Sequence, residues 1–590
     1  MRFLHSLPLL IAPLLGACAG QPGVTGGVAP APVTVGIVAI NDFHGALEPP
    51  RTSVVVGDGK GGVIQVPAGG SAYLASAIDS LRARYPHHLT VSAGDMIGAT
   101  QLSSSLFLDE PAIGVMNRVG VDFNAVGNHE FDRGRDELRR KQDGGCQQHT
   151  ALKPCRLERF TGARFRFLAG NSIEANGKTL FPATAIRSFG SGRARVMVGL
   201  IGLTLKETAD LASREGLKGV HFTDEADTVN ALIPRLKAQG AAAIVLLIHQ
   251  GGYTKADPGS SPDPSTCPNL TGGIRPILDR LDPAVDVVVS GHTHWSYVCD
   301  YGQTNPAKPF LLTSAGVLGQ LVTDITLEID PRTRRVVTKR ARNVIVQSEG
   351  YATRIGRIEP RDQFTRFTPR ADIAAYVTRY VDASKAEIQR PAGTLAGEVK
   401  RPGGDASSGG GTLGALIADA QLAATRGAGA QIAFMNPFGI RSPHTLAPAA
   451  DGTLTFGQLY AVQPFTNGLV TQSLTGAELK AVLEEGLDEN QPKQQLSPSV
   501  GFAWSYDLGR PAGDRVVAMT LDGKPIDPAA TYRVTVNSFL ANGGDSFSGF
   551  ARQRFAAIAP VTDLDALEAW LKASPARAVP ADDRVNEQKH

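Results

Sequence analysis

Five short polar clusters in this sequence each follow directly on an apolar run. Asn41-Asp42-Phe43-His44-Gly45 follows residues 34–40, and Gly94-Asp95 follows residues 89–93. Gly127-Asn128-His129-Glu130 follows residues 123–126, His249-Gln250-Gly251-Gly252 follows 243–248, and Gly291-His292-Thr293-His294 follows 285–290. The runs are rich in β-branched residues and read as buried strands. The carboxyl ends of strands in an α/β sheet are where ligands bind. Carboxylates, imidazoles and an amide brought to one sheet edge are ligands for divalent metals, and there are enough of them for two ions. One histidine alone would read as structural or superficial. Five of the twelve, His44, His129, His249, His292 and His294, lie in these clusters beside Asp42, Asp95 and Asn128, and together they point to a metal site. His87, His88, His149, His221 and His444 lack that context and read as surface residues.

The elements that must position these groups follow from pattern. A chain of 590 residues is too long for one core, so two domains are expected. A formal net charge of +3 gives no case for a nucleic acid polymer as partner. Residues 33 to about 345 alternate apolar strands with helical stretches, the pattern of an α/β domain. Helices are expected over 69–85 and 224–239, and a closing hairpin turns at Asp330-Pro331. A helix over 372–389, bounded by Pro369 and Pro391, reads as a connector. The second domain, from 393 to about 575, opens with a Gly- and Ser-rich loop at 402–411 and a helix over 413–424, with strands at 430–435 and 532–536.

The amino terminus reads as an export signal. A short positive start, an apolar stretch over 7–15 broken by Pro8 and Pro13, and Leu15-Gly16-Ala17-Cys18 resemble a bacterial lipobox. Ala17-Cys18-Ala19 also suits ordinary signal cleavage, though the apolar run leading into Cys18 favours lipidation. Residues 19–32 read as a flexible tether. The expected location is extracytoplasmic, a periplasmic or outer-membrane lipoprotein of a bacterium, touching membrane only through an anchor at Cys18. In an oxidising compartment the remaining four cysteines suggest two disulfides, Cys146–Cys155 within one insertion and Cys267–Cys299 after the last two clusters. A zinc knuckle is the rival reading, but no C-x-x-C spacing occurs.

Taken in order, the five clusters resemble those of the calcineurin-like metallophosphoesterases. Asn436-x-x-Gly439-Ile440-Arg441, Gln463-Pro464-Phe465 and the run Asn537 to Asp545 narrow the resemblance to the 5′-nucleotidase family, of the bacterial 5′-nucleotidase and UDP-sugar hydrolase type. The fold this implies is α/β: an N-terminal four-layer α/β/β/α metallophosphoesterase domain joined by a helix to a smaller α/β C-terminal nucleotide-binding domain. The expected segments are a signal at 1–18, the tether, a catalytic domain at 33–348, a linker with helix at 349–392, a substrate-binding domain at 393–577 and a tail at 578–590.

By the same resemblance, Asp42, His44 and His294 would hold one divalent ion and Asn128, His249 and His292 a second, with Asp95 bridging; zinc, manganese and iron all suit the ligands. His129, oriented by Asp132, would act on the transition state or the leaving group, and Glu130 would be structural. Phe465 and Phe539 would sandwich a nucleobase, Asn436 and Asp545 would contact the nucleoside, and Arg441 would pair with phosphate. Two departures from the family pattern bear on phosphate affinity and preferred substrate. Residues 403–412 stand where further arginines are usual, leaving Arg401 as the nearby candidate, and Phe438 replaces a glycine. The activity implied is removal of phosphate from nucleoside 5′-monophosphates for salvage of nucleoside and phosphate. A UDP-sugar diphosphatase and a 2′,3′-cyclic-nucleotide phosphodiesterase are alternatives within the class, and a catalytically idle surface nucleotide-binding protein is one outside it.

Overall fold

Along the strand Val33–Ile40 side chains alternate between two buried faces, as a strand covered on both sides must. Val35, Ile37 and Ala39 point one way, into a core shared with Val198, Leu200, Val245, Leu247, Val287 and Val289 of a second sheet. Val38 and Ile40 point the other way, onto Leu74, Ile78 and Leu81 of helix Ser71–Arg82 and Ile113 and Met116 of helix Glu110–Val119. The second sheet repeats the pattern: Ile201, Ile244, Leu246 and Val288 face helices Glu225–Ala238 and Ile274–Arg280. The result is helix, sheet, sheet, helix, the four-layer order expected.

These relationships are those of a computed structural model, which describes residues 31–588 apart from 151, 212–215, 256–259, 354–355, 403–408, 442, 488–492 and 553–554. The leader, Cys18 and nearly all of the tether lie outside the described residues. Among the described residues, no helix is long and apolar enough to cross a membrane.

The two main sheets of the first domain have six strands each. In the first, Val33–Ile40, His88–Ser92, Phe123–Ala125 and Arg166–Leu168 run parallel, and the antiparallel pair Leu321–Asp330 and Arg335–Ile345 extends the edge beyond Val33–Ile40. In the second, Val196–Leu203, Ala243–Ile248, Val287–Ser290 and Leu311–Ala315 run parallel between two antiparallel edges. Parallel strands end together, so the five polar clusters collect at one edge of the sandwich. The expected disulfides are both present, with Cα–Cα distances of 5.6 Å for Cys146–Cys155 and 5.2 Å for Cys267–Cys299.

Helix Ala371–Gln389 follows, one residue longer than its apolar spacing predicts. Ile373, Tyr376, Val377 and Tyr380 sink into the first domain's core, the Tyr380 ring meeting Phe107 edge-on at 5.0 Å. Only its far end, at Ile388, packs on the second domain. That domain is built on a five-stranded mixed sheet, with Gly411–Thr425 and Asp563–Lys572 on one face and Gly476–Glu485 with a four-stranded sheet on the other. The segment expected to be a tail is part of this structure. Val585–Glu587 pairs in parallel with Phe502–Tyr506, and Arg584 bonds both oxygens of Asp419, at 2.7 and 3.0 Å. Its short, mostly polar sequence carries no apolar alternation, so pairing with a strand remote in sequence decides its conformation.

Candidate active site

Five of the seven expected metal ligands hold backbone conformations that side chains rarely adopt. Asp42, His44, Asp95, His292 and His294 have φ between 46° and 69°. Such strain persists where surrounding structure enforces it, and it clusters at functional sites. Close packing enforces it here. A Cβ at Gly127 would lie 2.1 Å from Asp95 Oδ1, and one at Gly94 would lie 2.6 Å from His249 Nδ1. Asn41 bolts the two sheets together at this point: Nδ2 donates to Asp42 Oδ2 and Gly316 O, both at 2.7 Å, and Oδ1 accepts from Ala315 N.

The side chains form two clusters, Asp42 with His44 and His294, and Asp95 with His249 and His292. Asn128 Oδ1 joins the second, 3.1 Å from both His249 Nε2 and His292 Nδ1. His44 Nδ1 lies 2.8 Å from Gly98 O and His249 Nδ1 lies 2.8 Å from Ala93 O. A carbonyl can only accept, so each Nδ1 donates and each Nε2 is the nitrogen turned toward the centre, the arrangement metal-binding imidazoles use. His44 Nε2 and His294 Nε2 then face each other at 3.1 Å.

The donor set fits a pair of divalent cations. Asp95 Oδ2 is buried without a directed hydrogen bond, 3.0 Å from His249 Nε2 and 3.8 Å from His44 Nε2, between the two clusters. Burial pulls the imidazoles of His44 and His292 down to about 3, so both are neutral, the ligating form. Burial, reinforced by Asp95, pushes the Asp42 carboxyl up to about 7. Against its own burial, His249 is held up to about 10 by Asp95 and Asp42. The pocket therefore draws positive charge.

His129 lies beside the clusters. Its Nδ1 is 3.0 and 2.9 Å from the two oxygens of Asp132, and its backbone N–H donates to Asp95 Oδ1. Burial lowers its basicity, but Asp132 and Asp95 outweigh that and raise it overall. Glu130 is buried and accepts from the backbone N–H groups of Asp95, Met96 and Gly127 at 2.7–2.9 Å, so one carboxylate holds two ligand loops.

The second domain reaches this centre. The Phe465 ring stacks on His129, and the Arg441 guanidinium lies 5.4 Å from the Phe465 ring centre. Burial depresses the basicity of Arg441, while the carboxylates of Asp95, Asp42, Asp545 and Asp132 work the other way. Asn436 Nδ2 donates to Asp545 Oδ2 at 2.7 Å. Phe539 is half-buried at the margin of the second domain's core, so close to Gly544 that a Cβ there would meet it at 2.5 Å. Arg401 lies 5.5 Å from the ring centre of Phe438, the residue that replaces a glycine of the family pattern. His444, expected at the surface, is half-buried; its carbonyl accepts from Arg401 N and its N–H donates to Arg441 O, both at 2.9 Å.

Residues 36–296 match the family model described as calcineurin-like phosphoesterase, and residues 391–552 match that described as 5′-nucleotidase, C-terminal domain. The chain is 30% identical over 511 residues to Endonuclease YhcR of Bacillus subtilis, covering 86% of this chain but only 37% of that protein's length. It is 29% identical over 588 residues to Cell wall protein Lmo0130 of Listeria monocytogenes, covering 94% of this chain and 69% of the other. Among solved structures, the 5′-nucleotidase precursor from Thermus thermophilus matches with a TM-score of 0.69 at 25% identity, over 94% of this chain and all of that one. With both halves matched in this order, the chain belongs to the 5′-nucleotidase family of the calcineurin-like metallophosphoesterases.

Proposed function

We propose that this protein removes the 5′-phosphate from extracytoplasmic nucleotides, releasing nucleoside and phosphate for salvage. The observation that carries this reading is convergence. Arg441 and Phe465 of the second domain stand against His129 and the two ligand clusters of the first, so one cleft faces both a phosphate and a base. Asp42, His44 and His294 would hold one cation and Asn128, His249 and His292 the other, with Asp95 between. Two divalent ions, zinc or manganese among the candidates, would supply Lewis acidity toward the phosphoryl oxygens and an acidified water.

The chain's own groups do the rest. Arg441 pairs its planar fork with phosphate oxygens. His129, held by Asp132, which favours its protonated form, stabilises the charge that develops and delivers a proton to the leaving oxygen. Asn436 and Asp545 hold the nucleoside, Phe465 and Phe539 the base, and Arg401 adds a second cation near Arg441. We assign 33–348 to the catalytic domain, 349–392 to the linker, and the region from 393 through the strand Val585–Glu587 to the substrate-binding domain. The two disulfides and the name of the Listeria relative support export, with Cys18 as the lipid-anchor candidate.

The test is a substrate panel. Purified protein supplied with manganese or zinc is assayed on AMP, a UDP-sugar, 2′,3′-cyclic AMP and single-stranded DNA, the last because the Bacillus relative is named an endonuclease. The reading requires AMP to have the highest kcat/KM, and chelation to abolish its turnover. A higher kcat/KM on the UDP-sugar, the cyclic nucleotide or DNA would replace this assignment, and nucleotide binding without turnover of any of them would make the protein a binding module.

A further inference from the structure

Asn537 is buried, 1% exposed, at the junction of strand Thr531–Asn537 and the four-residue helix Ser538–Ala541, which carries Phe539. Its Oδ1 accepts from Leu540 N at 2.9 Å, capping that helix. Its Nδ2 donates to Asn436 Oδ1 at 3.0 Å. Asn436, also 1% exposed, in turn donates from Nδ2 to Asp545 Oδ2. Strand Thr531–Asn537 runs parallel beside Ile432–Met435, which Asn436 directly follows, with Ile432 opposite Val534 and Ala433 opposite Thr535, so both amides emerge at the same sheet edge.

This row of bonds has one consistent direction. A backbone N–H can only donate, and an ionised carboxylate can only accept. Leu540 N therefore fixes the oxygen of Asn537, which turns its nitrogen toward Asn436. That fixes the oxygen of Asn436 and turns its nitrogen toward Asp545. Reversing either amide would place like atoms face to face in a buried setting, where an unmet polar group is expensive.

We propose that Asn537 is a positioning residue for nucleoside recognition: its one amide sets both the orientation of Asn436 toward Asp545 and the start of the helix bearing Phe539. The proposal rests on the nucleotide reading of this cleft. It touches neither the ligand clusters nor His129, and it assigns Asn537 no contact with substrate. Asn537 thus couples three groups that the cleft offers to a nucleoside, and does so from outside it.

The decisive variant is Asn537→Asp, assayed at pH 8. Aspartate keeps an oxygen to cap Leu540 N–H but lacks the donor that orients Asn436. KM for AMP should rise ~10-fold, the scale of one buried hydrogen bond left unmade, with kcat changed less than ~3-fold. Turnover of p-nitrophenyl phosphate by the folded variant should stay near wild type. Asn537→Ser, which also caps but lacks the amide nitrogen, should show the same rise in KM and covers the case in which a buried aspartate prevents folding. Asn537→Ala removes cap and donor together and should lower the midpoint as well. An unchanged KM for AMP in both capping variants overturns the proposal, as do equal losses on AMP and p-nitrophenyl phosphate, which would mark a merely structural residue. Wild-type protein that hydrolyses p-nitrophenyl phosphate but neither turns over nor binds nucleotide overturns the functional reading, and this inference falls with it.

Discussion

The Phe465 ring lies nearly parallel to the His129 imidazole, with centroids 5.5 Å apart and planes 14° apart. The two residues are 336 positions apart and belong to different domains. Their contact brings a side chain of the second domain against an imidazole beside the ligand clusters. At that separation nothing fits between the rings, so a base held by Phe465 must use its other face or displace it from His129. Phe465 thus touches the catalytic candidate directly, which a residue confined to base recognition would not need to do.

His129 is expected to act on the reaction and not to hold metal, because its Nδ1 faces Asp132 and it belongs to neither ligand cluster. His129→Ala should lower kcat for AMP by ~10²–10⁴-fold with the bound metal unchanged. Metal analysis of the purified variant checks this. A loss of metal in proportion to the loss of activity would move His129 into the ligand shell.

Asp95 stands between the two clusters, its Oδ2 buried and lacking a directed bond. Asp95→Ala should therefore lower the metal content of both positions together, where Asp42→Ala should empty chiefly one. Elemental analysis after dialysis distinguishes the two patterns. An Asp95→Ala protein that keeps two ions and normal turnover would refute the bridging assignment.

Glu130 offers a test of support for the site. Its carboxylate accepts three backbone N–H groups from two loops, at Asp95, Met96 and Gly127. Glu130→Ala should strand these donors in a buried setting, each costing about 1–3 kcal/mol. The thermal midpoint of chelated protein should fall, and manganese should bind more weakly when added back. A variant with unchanged midpoint and affinity would show that water replaces the carboxylate at no loss.

Much of this site is legible in the sequence because its chemistry is local. Asp42, Asp95, Asn128, His249 and His292 each end an apolar run, and parallel pairing of those runs brings the ends together without further information. The alternation of Val35, Ile37 and Ala39 with Val38 and Ile40 likewise carries the two-faced burial that makes four layers. Groups whose role depends on distant partners are not legible. Asn537 reads as one more polar residue in a loop motif until Asn436, 101 positions away, is beside it. Val585–Glu587 has no apolar alternation and becomes a strand only because Phe502–Tyr506 offers an edge. The stack of Phe465 on His129 depends on how two domains meet, which no local pattern encodes. His444 looks superficial for a similar reason: its backbone is bonded to Arg401, 43 positions earlier, a pairing that no local pattern announces.

The relation between the domains yields the last prediction. Helix Ala371–Gln389 is embedded in the first domain through Ile373, Tyr376, Val377 and Tyr380, so it moves with that domain. The boundary about which the second domain can reorient is then its far end, where Arg390 bonds Glu387 on one side and Glu568 of helix Asp563–Lys572 on the other. Reorientation there would lift Phe465 from His129 and open the cleft to a base, and substrate-driven closure would complete the site. On the function proposed above, phosphate chemistry rests on the ligand clusters, His129 and Arg441, whereas base recognition rests on Phe465 and Phe539. A double variant, Phe465→Ala with Phe539→Ala, should therefore reduce kcat/KM for AMP by ~10–100-fold, since stacking on an aromatic face contributes ~1–3 kcal/mol per base. The same protein should hydrolyse p-nitrophenyl phosphate, which presents no nucleobase, at close to the wild-type rate. The single variants apportion the effect between the two rings, each raising KM for AMP while leaving p-nitrophenyl phosphate turnover near wild type. Equal losses on both substrates in the double variant would mean that the two rings only pack the domains, and base recognition would have to be sought elsewhere in the cleft.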